Sequence, residues 1–141
     1  MTVSRRREMP VTYQIDEKTS IIQTRCYGNV TLSDVLNHLH ALACAPNCPE
    51  RLHVLLDVSE SASVPESQQL RDVSHEIGKM RDKVQFDDCA IVASSDVLFG
   101  MSRMFEVFAS PWFRDIRVFR TLGEAESWLT SRQSLTNYQS T

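Results

Sequence analysis

His38, His40, Cys44, Cys48 and His53 lie close together in the chain, and imidazoles and thiolates are the usual ligands of zinc. Their spacing works against a site. On a helix, His38 and His40 stand roughly 200° apart around the axis, so only His40 and Cys44 share a flank. The "CAPNC" segment is C-x3-C without a second pair. Two ligands do not close a tetrahedral shell, so no metal is expected. The histidines read as surface groups and Cys44 and Cys48 as helix-end residues. A cysteine nucleophile needs a neighbouring base and a depressed pKa. Cys26 falls in a strand-like run and Cys89 opens a buried one, which makes both core residues. Ser94-Ser95 lacks the G-x-S-x-G turn of a nucleophile elbow. Gly28, Gly78, Gly100 and Gly123 are scattered, so no glycine-rich loop cradles phosphates. No motif indicates a reaction or a cofactor.

The segment "LLDVSESASVPESQQL", residues 55–70, ends an apolar run in Asp57 and then carries a succession of serines. Three readings fit it. Ser63 with Glu66 has the spacing of a helix capping box, and Pro65 then falls in the first helical turn, where its missing N–H is harmless. A serine there is also placed to carry a phosphate, which the free N–H groups of a helix start would welcome and Glu60 and Glu66 would repel. Loops at the carboxyl ends of parallel strands are, moreover, where such sheets bind ligands. On that reading Asp57, Ser59, Ser94, Ser95 and Asp96 line one edge.

These residues must be positioned by the surrounding elements. "VTYQID" and "TSIIQTRCYG" read as two strands of a hairpin. In "GNVTLSDVLNHLHALACAP", Leu32, Val35, Leu36, Leu39, Leu42 and Ala43 share a helical face, Thr31 and Asp34 form a capping pair, and Pro46 ends the helix. "LHVLLDV" and "CAIVAS" are short apolar runs of the kind buried on both faces of a sheet. Leu70, Val73, Ile77, Met80 and Val84 mark a second helix. Val97, Leu98, Met101, Met104, Phe105 and Phe108 mark the apolar face of a third. "IRVF" is a last strand, and "TLGEAESWL" a last helix with Thr121 and Glu124 at capping-box spacing. The order β-β-α-β-α-β-α-β-α demands a mixed, mostly parallel sheet of about five strands covered by about four helices.

On the third helix, Phe99 points away from the apolar stripe, and Arg103 is spaced to lie over its ring. Beyond Pro111 come Trp112 and Phe113. Either this aromatic pair closes the core at the helix end, or Phe99, Arg103, Val107, Trp112 and Phe113 form an exposed patch. Such a patch would be an interface, or a lid over an apolar ligand.

The chain has 141 residues, 42% of them hydrophobic and 23% charged, which suits a single domain with a real core. Residues 1–9 read as a disordered basic tail, 10–131 as the domain and 132–141 as a polar C-terminal tail. The formal charge is −3 although residues 1–8 hold three arginines and one glutamate, so the domain is acidic and unsuited to nucleic acid. No run reaches the length of a membrane span and no signal peptide is recognisable. A cytoplasmic protein with reduced cysteines is expected.

The element order, "LLDVSESASVPESQQL" after the third strand, "AIVASSDVLFGMSRMFEVF" around the fourth and the closing "VFRTLGEAESWL" together resemble the SpoIIAA-like branch of the STAS domains, the sulfate-transporter and anti-sigma-factor-antagonist domains. The resemblance covers roughly residues 11–130. It implies a single-domain α/β STAS-like fold and a non-enzymatic, regulatory role. Such a module binds a protein partner or itself as a homodimer; the competing expectation is a carrier or sensor of a small apolar or lipid ligand held between the third helix and the sheet, and the weakest is an enzyme of unknown reaction. In the antagonists, a serine in an Asp-Ser-Ser-Gly turn is phosphorylated to release the partner. That turn is absent here, and Ser61, Ser63 and Ser67 stand nearest to its position.

Overall fold

The computed structural model describes residues 9–139, with side chains through residue 133; the basic stretch 1–8 expected to form a tail lies outside them. The strands are β1 (Val11–Asp16), β2 (Ile21–Gly28), β3 (Arg51–Ser61), β4 (Gln85–Val92) and β5 (Asp115–Phe119). The helices are α1 (Leu32–Ala43), α2 (Ser67–Lys79), α3 (Asp96–Ala109) and α4 (Leu122–Gln139). The order is the one expected from the sequence. The five strands form one sheet in the order β1-β2-β3-β4-β5, antiparallel between β1 and β2 and parallel elsewhere.

Handedness decides where the helices go. Each crossover from β2 to β5 steps one strand in the same direction, and right-handed connections then put α1, α2 and α3 on one face. The helix α4 follows the last strand and covers the other. The two-residue period of β4 shows this division: Cys89 and Ile91 pack with Leu39, Leu42, Ile77 and Phe105, whereas Ala90 and Val92 pack with Ala125 and Leu129 of α4. Because α4 continues to Gln139, Arg132 and Gln133 are helical residues within the domain although the sequence places them in the polar tail. Gln133 donates to the Thr19 carbonyl.

Two irregularities in strand pairing aim polar side chains. Between the pairs Arg25↔Asp57 and Tyr27↔Glu60, β3 holds one residue more than β2. The Asp57 carboxylate accepts the Ser59 N–H there at 2.9 Å. Between Leu52↔Phe86 and Val54↔Cys89 the extra residue lies in β4, at Asp87-Asp88. Such bulges re-aim side chains.

Trp112 lies against the backbone of α2: a Cβ on Gly78 would come within 2.6 Å of the indole. Gly78→Ala gains helix propensity but forces that ring aside. We expect a net loss of about 1–2 kcal/mol, read as a lower midpoint in urea unfolding with an unchanged slope.

Candidate functional site

The inward side of the sheet is not fully packed. Leu55 is 4% exposed beneath α4, yet Val54, Leu56 and Val58, on the opposite face of the same central strand, are only half-buried. They form the floor of a cavity of about 200 Å³ that opens between the sheet and α1, α2 and α3. Its walls are largely branched or small side chains, including Val35, Leu70, Val73 and Met101. Its polar groups include Thr24, Cys26, His38 and Ser102, with Ser61 and Ser63 also in the lining. Among the described residues, no Asp, Glu, Lys or Arg lines it.

His38 is a cavity residue and not the surface histidine the sequence indicates. Its ring stands 5.0 Å from that of Tyr13, and Nε2 lies 3.4 Å from Thr24 Oγ1. Nδ1 is buried with no hydrogen-bond partner among the described residues. Burial lowers its pKa from 6.5 to about 4, so the imidazole is neutral at ordinary pH. Burial, and secondarily the charge of Asp57, pushes the Cys26 thiol up to about 11. The other histidines and cysteines of the apparent metal cluster point elsewhere. His40 contacts Glu76 at 3.3 Å on the exposed flank, Cys44 is exposed and His53 is buried. Among the described residues no group of these types is arranged to hold a metal.

Ser63 does not cap α2. Its hydroxyl accepts the Val30 N–H and donates to the Val30 carbonyl, both at 3.0 Å. Ser61 Oγ donates to the Ser63 carbonyl, and the Ala62 N–H reaches the Gly28 carbonyl at 2.7 Å. The segment after β3 is thereby stitched to the β2–α1 connection along the cavity wall. The helix starts later because β3 still pairs with β2 at Gly28↔Ser61, and because Pro65 disfavours helical backbone at Val64. Glu66 takes the cap position, and Gln69 reaches back to its N–H at 2.8 Å. Ser67 is the first helical residue and is exposed. Of the three candidate modification sites, Ser61 and Ser63 share this clasp and Ser67 stands outside it.

The proposed ligand edge divides in two. Asp57 and Ser59 are bonded to each other across the β3 bulge. Ser95 caps α3 through the Leu98 N–H, while Arg120 draws together the Ser94 carbonyl at 3.1 Å and the Asp96 carboxylate at 2.8 Å. None of the five lines the cavity.

The proposed interface also separates. Arg120, not Arg103, lies over Phe99, 4.1 Å from the ring centre; Arg103 pairs with Glu106 at 3.2 Å. Phe113 stacks on Phe86, and Trp112 packs on α2 beneath Arg81. Val107 is 70% exposed. The buried side of α3 is Leu98, Ser102, Phe105 and Ala109, so Val97 and Met104, expected in the core, face outward beside Val107.

A second polar cluster, invisible to motif reading, lies on the α4 side. Asp88 is fully buried and accepts from Arg114 of the β4–β5 connection at 2.5 and 3.2 Å, and from Arg132 of α4 at 3.2 Å. Burial raises the pKa of Asp88, but hydrogen bonds from the two guanidiniums outweigh this and hold it below the ordinary value. His53 Nδ1 stands 3.7 Å from Asp88; burial lowers its pKa against the opposing pull of Asp87 and Asp88. The only sequence signal was an Asp pair inside the otherwise apolar strand "QFDDCAIV".

A family model described as SpoIIAA-like matches residues 21–130, and the chain belongs to that family. The family points to the anti-sigma-factor-antagonist type of regulatory module, and domains of this kind typically bind protein partners. No curated protein matches the chain significantly. No helix among the described residues is long and apolar enough to cross a membrane.

Because His38 protonates near 6.5 unfolded but only at about 4 folded, the unfolded state binds the extra proton in between. Stability is full above about pH 6.5 and falls as the pH drops toward 4, by on the order of 3 kcal/mol at 1.4 kcal/mol per unit. His53 acts in the same sense. His38→Leu should flatten urea-derived stability across this window; an unchanged slope would mean that His38 is solvated in the folded state.

Proposed function

We propose that the chain is a non-enzymatic regulatory module that takes a small apolar ligand into the cavity between α1, α2, α3 and the sheet, and transmits its occupancy to a protein partner. The observation that carries this reading is the half-exposed centre of the sheet. A domain of this size ordinarily closes its central strand, whereas Val54, Leu56 and Val58 remain open on one face only. Apolar walls with a few polar groups are the usual make-up of a ligand site. The titratable groups present suit binding better than catalysis. The Cys26 thiol is held protonated, and neutral His38 has its proton affinity lowered, which equips neither as an activated nucleophile or base.

Leu56→Phe places a larger side chain on the cavity floor. Uptake of toluene, measured by calorimetry, should weaken by about tenfold or more, while folding stability stays within about 1.5 kcal/mol of the parent. Equal uptake by both proteins would place the binding elsewhere and sink the proposal.

A second reading, association through the outer side of α3, is favoured by the exposed Val97, Met104 and Val107 there. They share one helical side with Gly100, where an added Cβ would meet nothing, leaving room for a close approach. Val97→Glu with Val107→Glu should abolish self-association in sedimentation velocity and leave toluene uptake unchanged. A parent chain that is monomeric at every concentration removes the homodimer from this reading.

A further inference from the structure

The chemistry of the cavity wall narrows the ligand class. All of the acidic and basic side chains described lie outside the lining. A carboxylate or ammonium taken into such a space would lose its water without gaining a counter-charge, which is prohibitive. The volume of about 200 Å³ is somewhat above that of the roughly 150 Å³ cavity that accommodates benzene. The space therefore suits one substituted ring or a chain of similar bulk.

One wall is not inert. Thr24 on β2 and His38 on α1 both line the cavity, and their shared contact is long, at 3.4 Å between Oγ1 and Nε2. Nδ1 of His38 is buried without a partner among the described residues. Buried polar atoms left unpaired are destabilising, and a bound polar group that pairs with them removes the penalty. Ser61 and Ser63 are already committed to the clasp around Val30, Thr31 caps α1 and Gln69 caps α2. Of the remaining lining groups, Thr24 and His38 form a pair with hydrogen-bonding capacity to spare, and Ser102 is a single hydroxyl on α3. With the neutral imidazole, the contact to Thr24 leaves Nδ1 as a donor in one tautomer and an acceptor in the other. A hydroxyl group serves both cases, since it donates and accepts.

We infer that the cavity selects uncharged molecules of about the bulk of a substituted benzene ring bearing one hydroxyl, and that Thr24 and His38 receive that hydroxyl. This rests on the cavity being a ligand site and adds to it a rule of selection. The neutral state of His38, with its pKa near 4, agrees with the rule, because it offers no positive charge to hold an acid.

The test uses the full chain at neutral pH and three probes of one shape: p-cresol, toluene and 4-methylbenzoate, titrated by calorimetry. In an apolar space without a partner, the hydroxyl of p-cresol is a handicap, and toluene binds more tightly. With Thr24 and His38 pairing it, p-cresol should bind about 3- to 10-fold more tightly than toluene. 4-Methylbenzoate should bind weakest. Thr24→Val and His38→Leu should each bring the cresol-to-toluene ratio to about one or below while toluene affinity is kept, and either variant suffices if the other folds poorly. Leu56→Phe should weaken both neutral probes together, locating them in the cavity. Toluene binding as tightly as p-cresol to the parent chain would overturn the selection rule and leave the cavity reading standing. Preferential binding of 4-methylbenzoate would overturn it as well. No binding of any probe would overturn both readings.

Discussion

The constraint on which the structure rests is the handedness of its crossovers. Three successive right-handed β-α-β connections, each stepping one strand the same way, commit α1, α2 and α3 to a single face. Among the described residues, the remaining face is covered by α4. One helix is about 10 Å wide with its side chains, so it covers the central strands of a five-stranded sheet and leaves the flanks to other devices. Everything distinctive about the molecule follows from how the two unequal faces are completed. On the α4 side, Leu55, Ala90 and Val92 pack against Ala125 and Leu129, with Ile21, Phe119, Leu122 and Trp128 partly buried around them. The lower part of that side is completed by charge, with Asp88 held between Arg114 and Arg132.

The two faces treat buried polar groups in opposite ways. Around Asp88, two partly exposed guanidiniums surround one fully buried carboxylate, and removing them would leave that carboxylate's charge uncompensated in a dry setting. That cluster ties β4, the β4–β5 connection and α4 into a unit, and the β4 bulge at Asp87-Asp88 is what lets the two carboxylates serve Arg51 and the Arg114–Arg132 pair separately. On the crossover face no charged side chain among the described residues lines the cavity, and its polar groups are neutral, Thr24 and His38 sharing one long contact. The first arrangement holds shape. The second leaves space, and it is on this face that α1, α2 and α3 come together. The Ser61–Ser63 clasp lies along the same wall, so the serine-rich segment that looked like helix-start chemistry acts instead to join two loops.

Much of the fold was legible because it is written in period and punctuation. Alternation and apolar runs placed the five strands, 3.6-residue repeats placed the first three helices, the Thr121–Glu124 capping spacing placed the fourth, and Thr31 with Asp34 marked a true capping box. The site was far less legible. The stripe of α3 is broad enough that its sequence admits more than one buried centre, and the packed side turned out to be Leu98, Ser102, Phe105 and Ala109. Ser63 with Glu66 has the spacing of a cap, but pairing of β3 with β2 through Ser61 holds the chain extended past the point where a helix could begin. Arg120 sits twenty-one residues from Phe99 in the chain, too far for any local rule to prefer it over Arg103.

By itself, the sequence determined the element order and the mainly parallel sheet, because hydrophobic periodicity and strand–helix alternation are local properties that tolerate few topologies. Membership of the SpoIIAA-like family is likewise carried by the sequence, through the match over residues 21–130. Only the tertiary structure decided which groups became partners: His38 with Thr24, Asp88 with Arg114 and Arg132, Ser63 with Val30, and Phe99 with Arg120. It also decided that the central strand stays open on one face. Each of these depends on the packing distance between elements remote in the chain, and so on the summed volumes of many side chains, which no short stretch of residues encodes.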